Sequence, residues 1–141
     1  MTGIVQAAVK GLIVNDDKFL MLQQKSRGKV WWDLPGGRIK YGEDPAESLK
    51  REVFEETHLD VDILNPIGVW HFFLEHDKVQ IVCLTFLCKL KSGEIDLNKN
   101  PDNDEELVMY RWFTPQQFLK NSKEALLDDR LKKVIFNYFK I

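Results

Sequence analysis

The sequence has few cysteines, and their spacing argues against a disulfide. Cys83 and Cys88 are the only two among 141 residues, and both lie in one predicted strand. Residues five apart on a strand point to opposite faces and lie roughly 16 Å apart, whereas a disulfide needs Cα atoms within about 7 Å. We therefore expect two buried free thiols, which are typical of a reducing compartment and favour a cytoplasmic protein.

The sequence also lacks long apolar runs and an excess of charge of one sign. The longest apolar stretch, Ile81 to Cys88, is far shorter than the roughly 20 residues that span a bilayer, so we expect no membrane segment. Residues 1–14 carry Lys10 within an apolar stretch and no basic leader, which is not typical of a signal peptide. A formal net charge of −2 gives no basic surface for duplex nucleic acid.

The remaining pattern predicts one domain, spanning residues 1–141, with strands and a few helices. Apolar stretches separated by turn residues predict strands at Val5–Val14, Lys18–Gln23, Trp31–Leu34, Val61–Leu64, Gly68–Leu74, Val79–Leu90 and Leu107–Phe113, with a polar loop at Gln24–Lys29. Helices are predicted to begin at Asp44-Pro45 and Thr114-Pro115, and Glu124–Phe139 has an amphipathic helical pattern. This order predicts an α/β (α+β) fold with helices packed on a central mixed sheet.

The most informative feature is a glycine turn followed by a helix with clustered acids. Glu52, Glu55 and Glu56 are spaced i, i+3 and i+4, so they share one patch, which we expect on the exposed face of the helix. Like charges at this spacing destabilise a helix by roughly 0.2–0.5 kcal/mol per pair. Carboxylates are ligands that Mg²⁺ and Mn²⁺ prefer, and Mg²⁺ commonly binds together with substrate phosphates. The cluster therefore predicts metal-assisted chemistry on a phosphorylated substrate.

The spacing of these residues resembles the Nudix box, which would run from Gly37 to Leu59. The matching positions are Gly37, Glu43, Arg51, Glu52, Val53, Glu55, Glu56 and Leu59. His58 stands where the box has its last glycine, at a position after the helix where a left-handed backbone is common. The resemblance implies an αβα sandwich and a hydrolase that uses Mg²⁺, with Mn²⁺ as a substitute.

The resemblance also assigns roles within the box. Glu52, Glu55 and Glu56 would bind the metal together with a backbone carbonyl of the Gly36-Gly37 loop, whose glycines let the backbone approach metal and phosphate. Arg51 would hold a glutamate in its ligating rotamer, and Glu43 would bond Arg51 or a metal-bound water. Each role has an alternative. The three glutamates could form a solvated acidic helix face, and Arg51 could be a surface cation. Glu43 could be an acid that favours the helix dipole, and the two glycines could form a plain tight turn.

Two further sets of residues are candidates outside the box. The general base in this family is a box glutamate or a carboxylate of a later loop, and here the loop supplies Asp102, Asp104, Glu105 and Glu106. Most of these acids are expected to be solvated loop charges, and Glu105 or Glu106 is the candidate that reaches the site. Stacking on a nucleotide base would need an aromatic ring, although strand aromatics are more often core residues; the candidates are Trp32, Trp70, Phe72 and Phe73.

Together these features predict an enzyme that cleaves the phosphoanhydride of a nucleoside diphosphate linked to another group. The substrate classes are a (d)NTP, an oxidised nucleotide, ADP-ribose or a nucleotide sugar. The alternatives are a nucleotide-sensing module without catalysis and an RNA-end-processing pyrophosphohydrolase. The resemblance leaves a homodimer open.

Overall fold

The computed structural model describes residues 2–97, 106–122 and 127–141. Within these ranges there are seven strands and three helices, in the chain order β1 Ile4–Asn15, β2 Lys18–Ser26, β3 Lys29–Asp33, β4 Gly36–Arg38, α1 Pro45–Thr57, β5 Asp60–Leu74, β6 Val79–Ser92, β7 Glu106–Phe113, α2 Pro115–Asn121 and α3 Asp129–Phe139. None of the described helices is both long and apolar enough to span a bilayer.

The strands form one mixed sheet in the order β3-β2-β1-β6-β5, with β4 paired to β1 and β7 paired to β2. β1 runs parallel to β6 from Ile4 opposite Val79 onwards, and antiparallel to β2 and β4. β1 and β2 share only a short hairpin, so an earlier part of β1 pairs with β4, with Lys10 opposite Gly36. This pairing places residues 34–37, the glycine loop, directly on the central strand of the sheet. The glycines that were predicted as a turn thus belong to the short strand β4.

Two apolar layers cover the two faces of the sheet. Leu49 and Val53 of α1 pack in one layer, and Leu131 and Ile135 of α3 pack in the other, together with Phe118 of α2. The fold is therefore the predicted αβα sandwich.

The two cysteines of β6 lie on opposite faces of the sheet. Cys83 lies in the layer under α3 and Cys88 in the layer under α1, as expected for residues five apart on a strand. Both are buried free thiols. Burial raises the pKa of each thiol to about 12, so neither is a ready nucleophile.

Helix α1 begins and ends with local capping contacts. The Asp44 side chain accepts hydrogen bonds from the N–H groups of Ala46 at 3.1 Å and Glu47 at 3.2 Å, and Pro45 occupies the first turn. The helix ends at His58, which is left-handed with a φ of 64° and donates its N–H to the Phe54 carbonyl at 2.8 Å. The predicted start of α1 is confirmed, and His58 adopts the conformation that the box glycine would have.

His58→Gly is expected to leave turnover unchanged, because the capping hydrogen bond already forms with histidine. Glycine relieves the left-handed strain but removes the contact between the His58 and Phe54 rings, whose centroids lie 4.9 Å apart. We expect the free energy of unfolding to change by less than about 1 kcal/mol. Thermal unfolding and kcat test this, and a several-fold gain in kcat would show that His58 distorts the exit of α1.

A loop prediction and a strand prediction were also wrong. The predicted polar loop Gln24–Lys29 is reduced to a turn at Arg27-Gly28, where φ is 50° and 79°, because β2 pairs with β3 down to Ser26 opposite Lys29. Backbone pairing here does not depend on apolar side chains. The two strands predicted between Val61 and Leu74 are one strand, β5, in which register shifts accommodate Pro66.

The last predicted helix begins later than its amphipathic pattern indicated. Asp128 caps α3 by accepting a hydrogen bond from the Arg130 N–H at 2.8 Å, so the helix starts at Asp129. Residues 124–126 of the predicted helix lie outside the described residues. Thr114 caps α2 as predicted, because its hydroxyl accepts from the Gln117 N–H at 3.1 Å.

Candidate active site

Arg51 lies at the centre of the acidic face of α1 and contacts three carboxylates. It donates two parallel hydrogen bonds to Glu43, from Nε at 2.7 Å and from Nη2 at 2.9 Å. Its Nη1 lies 3.1 Å from Oε1 of Glu52 and 3.1 Å from Oε2 of Glu55. The bonds from Arg51, followed by one from the Lys40 N–H, lower the pKa of Glu43 to about 2. One cation thus contacts two acids of α1, Glu52 and Glu55, and one acid that precedes the helix, Glu43.

The carboxylate of Glu52 packs directly on the backbone of Gly37. A Cβ added at Gly37 would lie 2.5 Å from both Cδ and Oε2 of Glu52. Burial raises the pKa of Glu52, although the Arg51 cation opposes this effect. Position 37 therefore needs glycine to leave room for an acid from α1.

Gly37→Ala is expected to lower kcat by about 100-fold, since a misplacement of about 1 Å in a site group costs about that much. The new methyl group displaces the end of the flexible Glu52 side chain and no backbone, so stability changes little. Steady-state kinetics and thermal unfolding measure the two effects separately. Wild-type kcat in Gly37→Ala would show that the position of Glu52 does not matter for turnover.

Glu56 is buried, which differs from the exposed position that the helix pattern predicted. Only 7% of the residue is exposed, and its Oε1 accepts a hydrogen bond from the Gly36 N–H at 2.7 Å. Burial raises the pKa of Glu56 well above its ordinary value, against the opposing effects of Lys10 and the Gly36 N–H. The prediction was wrong because the glycine loop, which is remote in sequence, covers the last turn of α1. Glu55 keeps more contact with solvent, with a third of its side chain exposed.

Gly36 is the residue that allows this close approach. Its φ is 148°, and a Cβ there would lie 2.0 Å from the carbonyl oxygen of Val9. No side chain fits between the loop and β1 at this point. Glycine at position 36 thus lets the loop lie on β1 and present its N–H to Glu56.

Lys10 and Asp33 form a buried ion pair beside this loop, and sequence reasoning missed it. Lys10 Nζ lies 2.8 Å from Asp33 Oδ2, and the residues are 6% and 7% exposed. Burial alone would lower the pKa of Lys10, but the Asp33 carboxylate outweighs it and raises that pKa above its ordinary value. The available signal was a lysine inside an apolar strand and an acid just before the glycine turn.

Three of the four predicted stacking aromatics, Trp32, Trp70 and Phe72, pack in the layer under α2 and α3, on the face of the sheet opposite α1. Trp70 is 5% exposed, donates its indole N–H to Thr85 at 3.1 Å and packs against Phe72, so no ring face is open for a base. Trp32 packs edge-on against Phe113, with ring centroids 5.8 Å apart. Trp70 is therefore not part of the site that we propose for the substrate.

Phe73 and the later acidic loop complete the candidates. Phe73 is half exposed, and the guanidinium of Arg130 lies 5.8 Å from its ring centroid. The backbone of Glu106 begins β7 opposite Lys25. The Glu106 side chain, and residues 98–105 with Asp102, Asp104 and Glu105, lie outside the described residues, so the later-loop base stays a prediction.

The acids of α1 suit a divalent cation by their chemistry. Glu52, Glu55 and Glu56 offer carboxylate oxygens, the donors that Mg²⁺ and Mn²⁺ prefer. In the part of the chain that the structure describes, no three His, Cys, Asp or Glu side chains already surround one point as metal ligands. Arg51 engages Glu52 and Glu55 instead, while Gly36 engages Glu56. The donor set therefore fits the metal by its chemistry.

Comparison with known proteins identifies the family. The NUDIX domain model matches residues 5–137, so the chain belongs to the Nudix family, and the predicted enzyme class, a pyrophosphohydrolase, is confirmed. The crystal structure of the MutT protein from Methanosarcina mazei Go1 has a TM-score of 0.82 at 22% identity, covering 99% of this chain and 96% of that chain. This likeness concerns the fold.

Three relatives have similar sequences, and two of them are named by an activity. A MutT-like protein of Streptomyces ambofaciens is 30% identical over 119 residues, which cover 84% of this chain and 70% of the relative. An ADP-ribose pyrophosphatase of Methanocaldococcus jannaschii is 30% identical, and the match covers 62% of this chain and 53% of that relative. An RNA pyrophosphohydrolase of Francisella philomiragia is 28% identical and covers 72% of each. The match to the ADP-ribose pyrophosphatase thus spans about half of that protein.

Proposed function

We propose that this chain is a Mg²⁺-dependent hydrolase that cleaves the phosphoanhydride of a nucleoside diphosphate linked to another group. The observation that carries the proposal is the acidic patch of α1, in which Arg51 holds Glu52 and Glu55 while Gly36 anchors Glu56. When bound, Mg²⁺ would neutralise charge on the phosphate oxygens and lower the pKa of a water molecule. A sensing module without catalysis would have no need for the full set of box acids.

Each residue of the patch has a task in this proposal. Glu52, Glu55 and Glu56 hold the cation, and Arg51 limits the rotamers of the first two. Glu43 holds Arg51 through two parallel bonds, which fix the plane of the guanidinium. The missing side chains at Gly36 and Gly37 let the glycine loop lie on β1 and let the Glu52 carboxylate pack on the loop backbone, so the acids stay close to the loop. Glu106 remains our candidate for the later-loop base.

The substrate class follows from the relatives only as a proposal. Similar proteins are named ADP-ribose pyrophosphatase and RNA pyrophosphohydrolase, and both names describe cleavage of a diphosphate bond next to a nucleotide. The net charge of −2 favours a small nucleotide over a long nucleic acid. We therefore place a (d)NTP, an oxidised nucleotide, ADP-ribose or a nucleotide sugar first, and the 5′-triphosphate end of RNA second. Two free buried thiols suit a reducing, cytoplasmic setting.

A substrate panel with and without metal tests the proposal. Release of phosphate or nucleotide would be measured from NTPs, oxidised dNTPs, ADP-ribose, nucleotide sugars and 5′-triphosphate RNA, in Mg²⁺, Mn²⁺ and EDTA. We expect metal-dependent cleavage of one class, and the Glu56→Gln protein purified in parallel controls for contaminating hydrolases. No cleavage of any compound, with a nucleotide still raising the Tm, would favour a sensing module instead.

A further inference from the structure

The buried ion pair of Lys10 and Asp33 has no task in the function proposed above. Both residues are more than nine-tenths buried, and the ammonium and carboxylate lie 2.8 Å apart. Removing two charges from water is costly, and apolar residues of similar volume are often at least as stabilising. Global stability is therefore a weak reason for an ion pair at this place in the sheet.

The Asp33 carboxylate joins the pair to the glycine loop. Its Oδ2 accepts from Lys10, while its Oδ1 accepts from the N–H of Leu34 at 2.8 Å. Asp33 is the last residue of β3, so this second bond orients the backbone where the chain leaves the sheet. One carboxylate thus ties the side chain of a β1 residue to the first peptide of the loop.

The loop is held against β1 at two more points before it reaches the acidic patch. The Gly11 N–H donates to the Pro35 carbonyl at 2.9 Å, and Gly36 pairs with Lys10 across the β1–β4 ladder. The Gly36 N–H then donates to Glu56 at 2.7 Å. A continuous series of contacts therefore runs from the buried ammonium to a carboxylate of the proposed metal site.

We propose that Lys10 and Asp33 are positioning residues, which set the place of the Gly36 N–H and so of the Glu56 carboxylate. The positive charge of Lys10 also attracts Glu56 directly. Because the pair acts through the loop, its loss displaces Glu56 even where the protein remains folded. The inference rests on the proposed function: its effect on metal binding requires the proposed metal site, and its effect on turnover requires the hydrolase activity as well.

Three variants separate positioning from stability: Lys10→Met, Asp33→Asn and the double variant. Each single substitution leaves one buried charge without its partner, so we expect a lower Tm. Outer partners of metal ligands typically change metal affinity or activity by 10- to 100-fold. We expect Mn²⁺ affinity, measured by calorimetry on the metal-free protein, to fall by roughly that factor, with a similar fall in kcat.

The double variant is the decisive protein because neutral side chains replace both charges of the pair. The amide introduced at position 33 keeps an oxygen for the Leu34 N–H, but the link to β1 is lost, so we expect the Tm to recover while Mn²⁺ affinity stays low. Lys132→Met is the matched control, since Lys132 pairs with Asp129 at 3.5 Å on α3, away from the glycine loop. The control should bind Mn²⁺ as the wild type does.

The outcomes distinguish this inference from the proposed function. Single variants with a lower Tm but wild-type Mn²⁺ affinity and kcat would overturn the positioning role, as would a double variant that recovers affinity together with Tm. If the single variants do not fold, the Mn²⁺ affinity of the double variant decides whether the pair has a positioning role. If the wild type binds Mn²⁺ but cleaves no substrate, the hydrolase proposal fails while the metal measurements still test positioning. A wild type that binds no Mn²⁺ overturns both.

Discussion

Glu56→Gln is expected to lower metal-dependent turnover by at least about 100-fold without loss of the fold. Loss of an outer partner of a metal ligand typically costs 10- to 100-fold, and loss of the ligand itself should cost more. Glutamine has nearly the same volume, and its carbonyl oxygen replaces Oε1 as acceptor for the Gly36 N–H. The substitution therefore removes the negative charge and keeps the packing.

The same variant should be at least as stable as the wild type in EDTA. Glu56 is 7% exposed, and its surroundings disfavour the charged carboxylate, since burial raises its pKa well above the ordinary value. A neutral amide avoids that cost, so the Tm should stay equal or rise while kcat falls. Glu47→Gln, an exposed glutamate on the first turn of the same helix, is the matched control and should keep both values. Wild-type kcat in Glu56→Gln at saturating Mg²⁺ would remove Glu56 from the site.

Gly36→Ala is expected to destabilise the protein by at least about 3 kcal/mol. A φ of 148° is costly for any residue with a side chain, by about 1–3 kcal/mol. In addition, the new Cβ would lie 2.0 Å from the Val9 carbonyl oxygen and 2.9 Å from the Lys10 Cα, and backbone atoms cannot rotate away as a side chain can. Relief requires the loop to separate from β1, which also breaks the hydrogen bond to Glu56.

Thermal and denaturant unfolding measure this effect, with an expected fall in Tm of roughly 6–12 °C for a chain of this size. Gly28→Ala is the control, because Gly28 also has a positive φ, of 79°, but an added Cβ meets open space. That control should lose only about 1 kcal/mol, the cost of strain without a collision. A Gly36→Ala protein as stable as Gly28→Ala would show that the loop is not tightly packed on β1.

The box helix could be predicted closely because its signals are local. Asp44 and Pro45 start α1, and the spacing of Glu52 and Glu55 places both on one face whatever surrounds the helix. The contact of Arg51 with these acids spans one turn or less and follows from the same geometry. Strands were harder, since β5 continues through Pro66 only because β6 pairs with it on both sides of the register shifts.

The sequence alone thus determined the family resemblance, the α/β layering, the opposite faces of the two cysteines and the acidic face of α1, because each depends on spacing along one element. Only the tertiary structure decided that Glu56 is buried, that Gly37 makes room for Glu52 and that Lys10 pairs with Asp33. These contacts join residues about 15 to 23 positions apart in the sequence. The β1–β4 pairing and the packing of α1 against the sheet bring these residues together. Side-chain periodicity describes one element at a time, so it does not reveal which distant segment covers a charge.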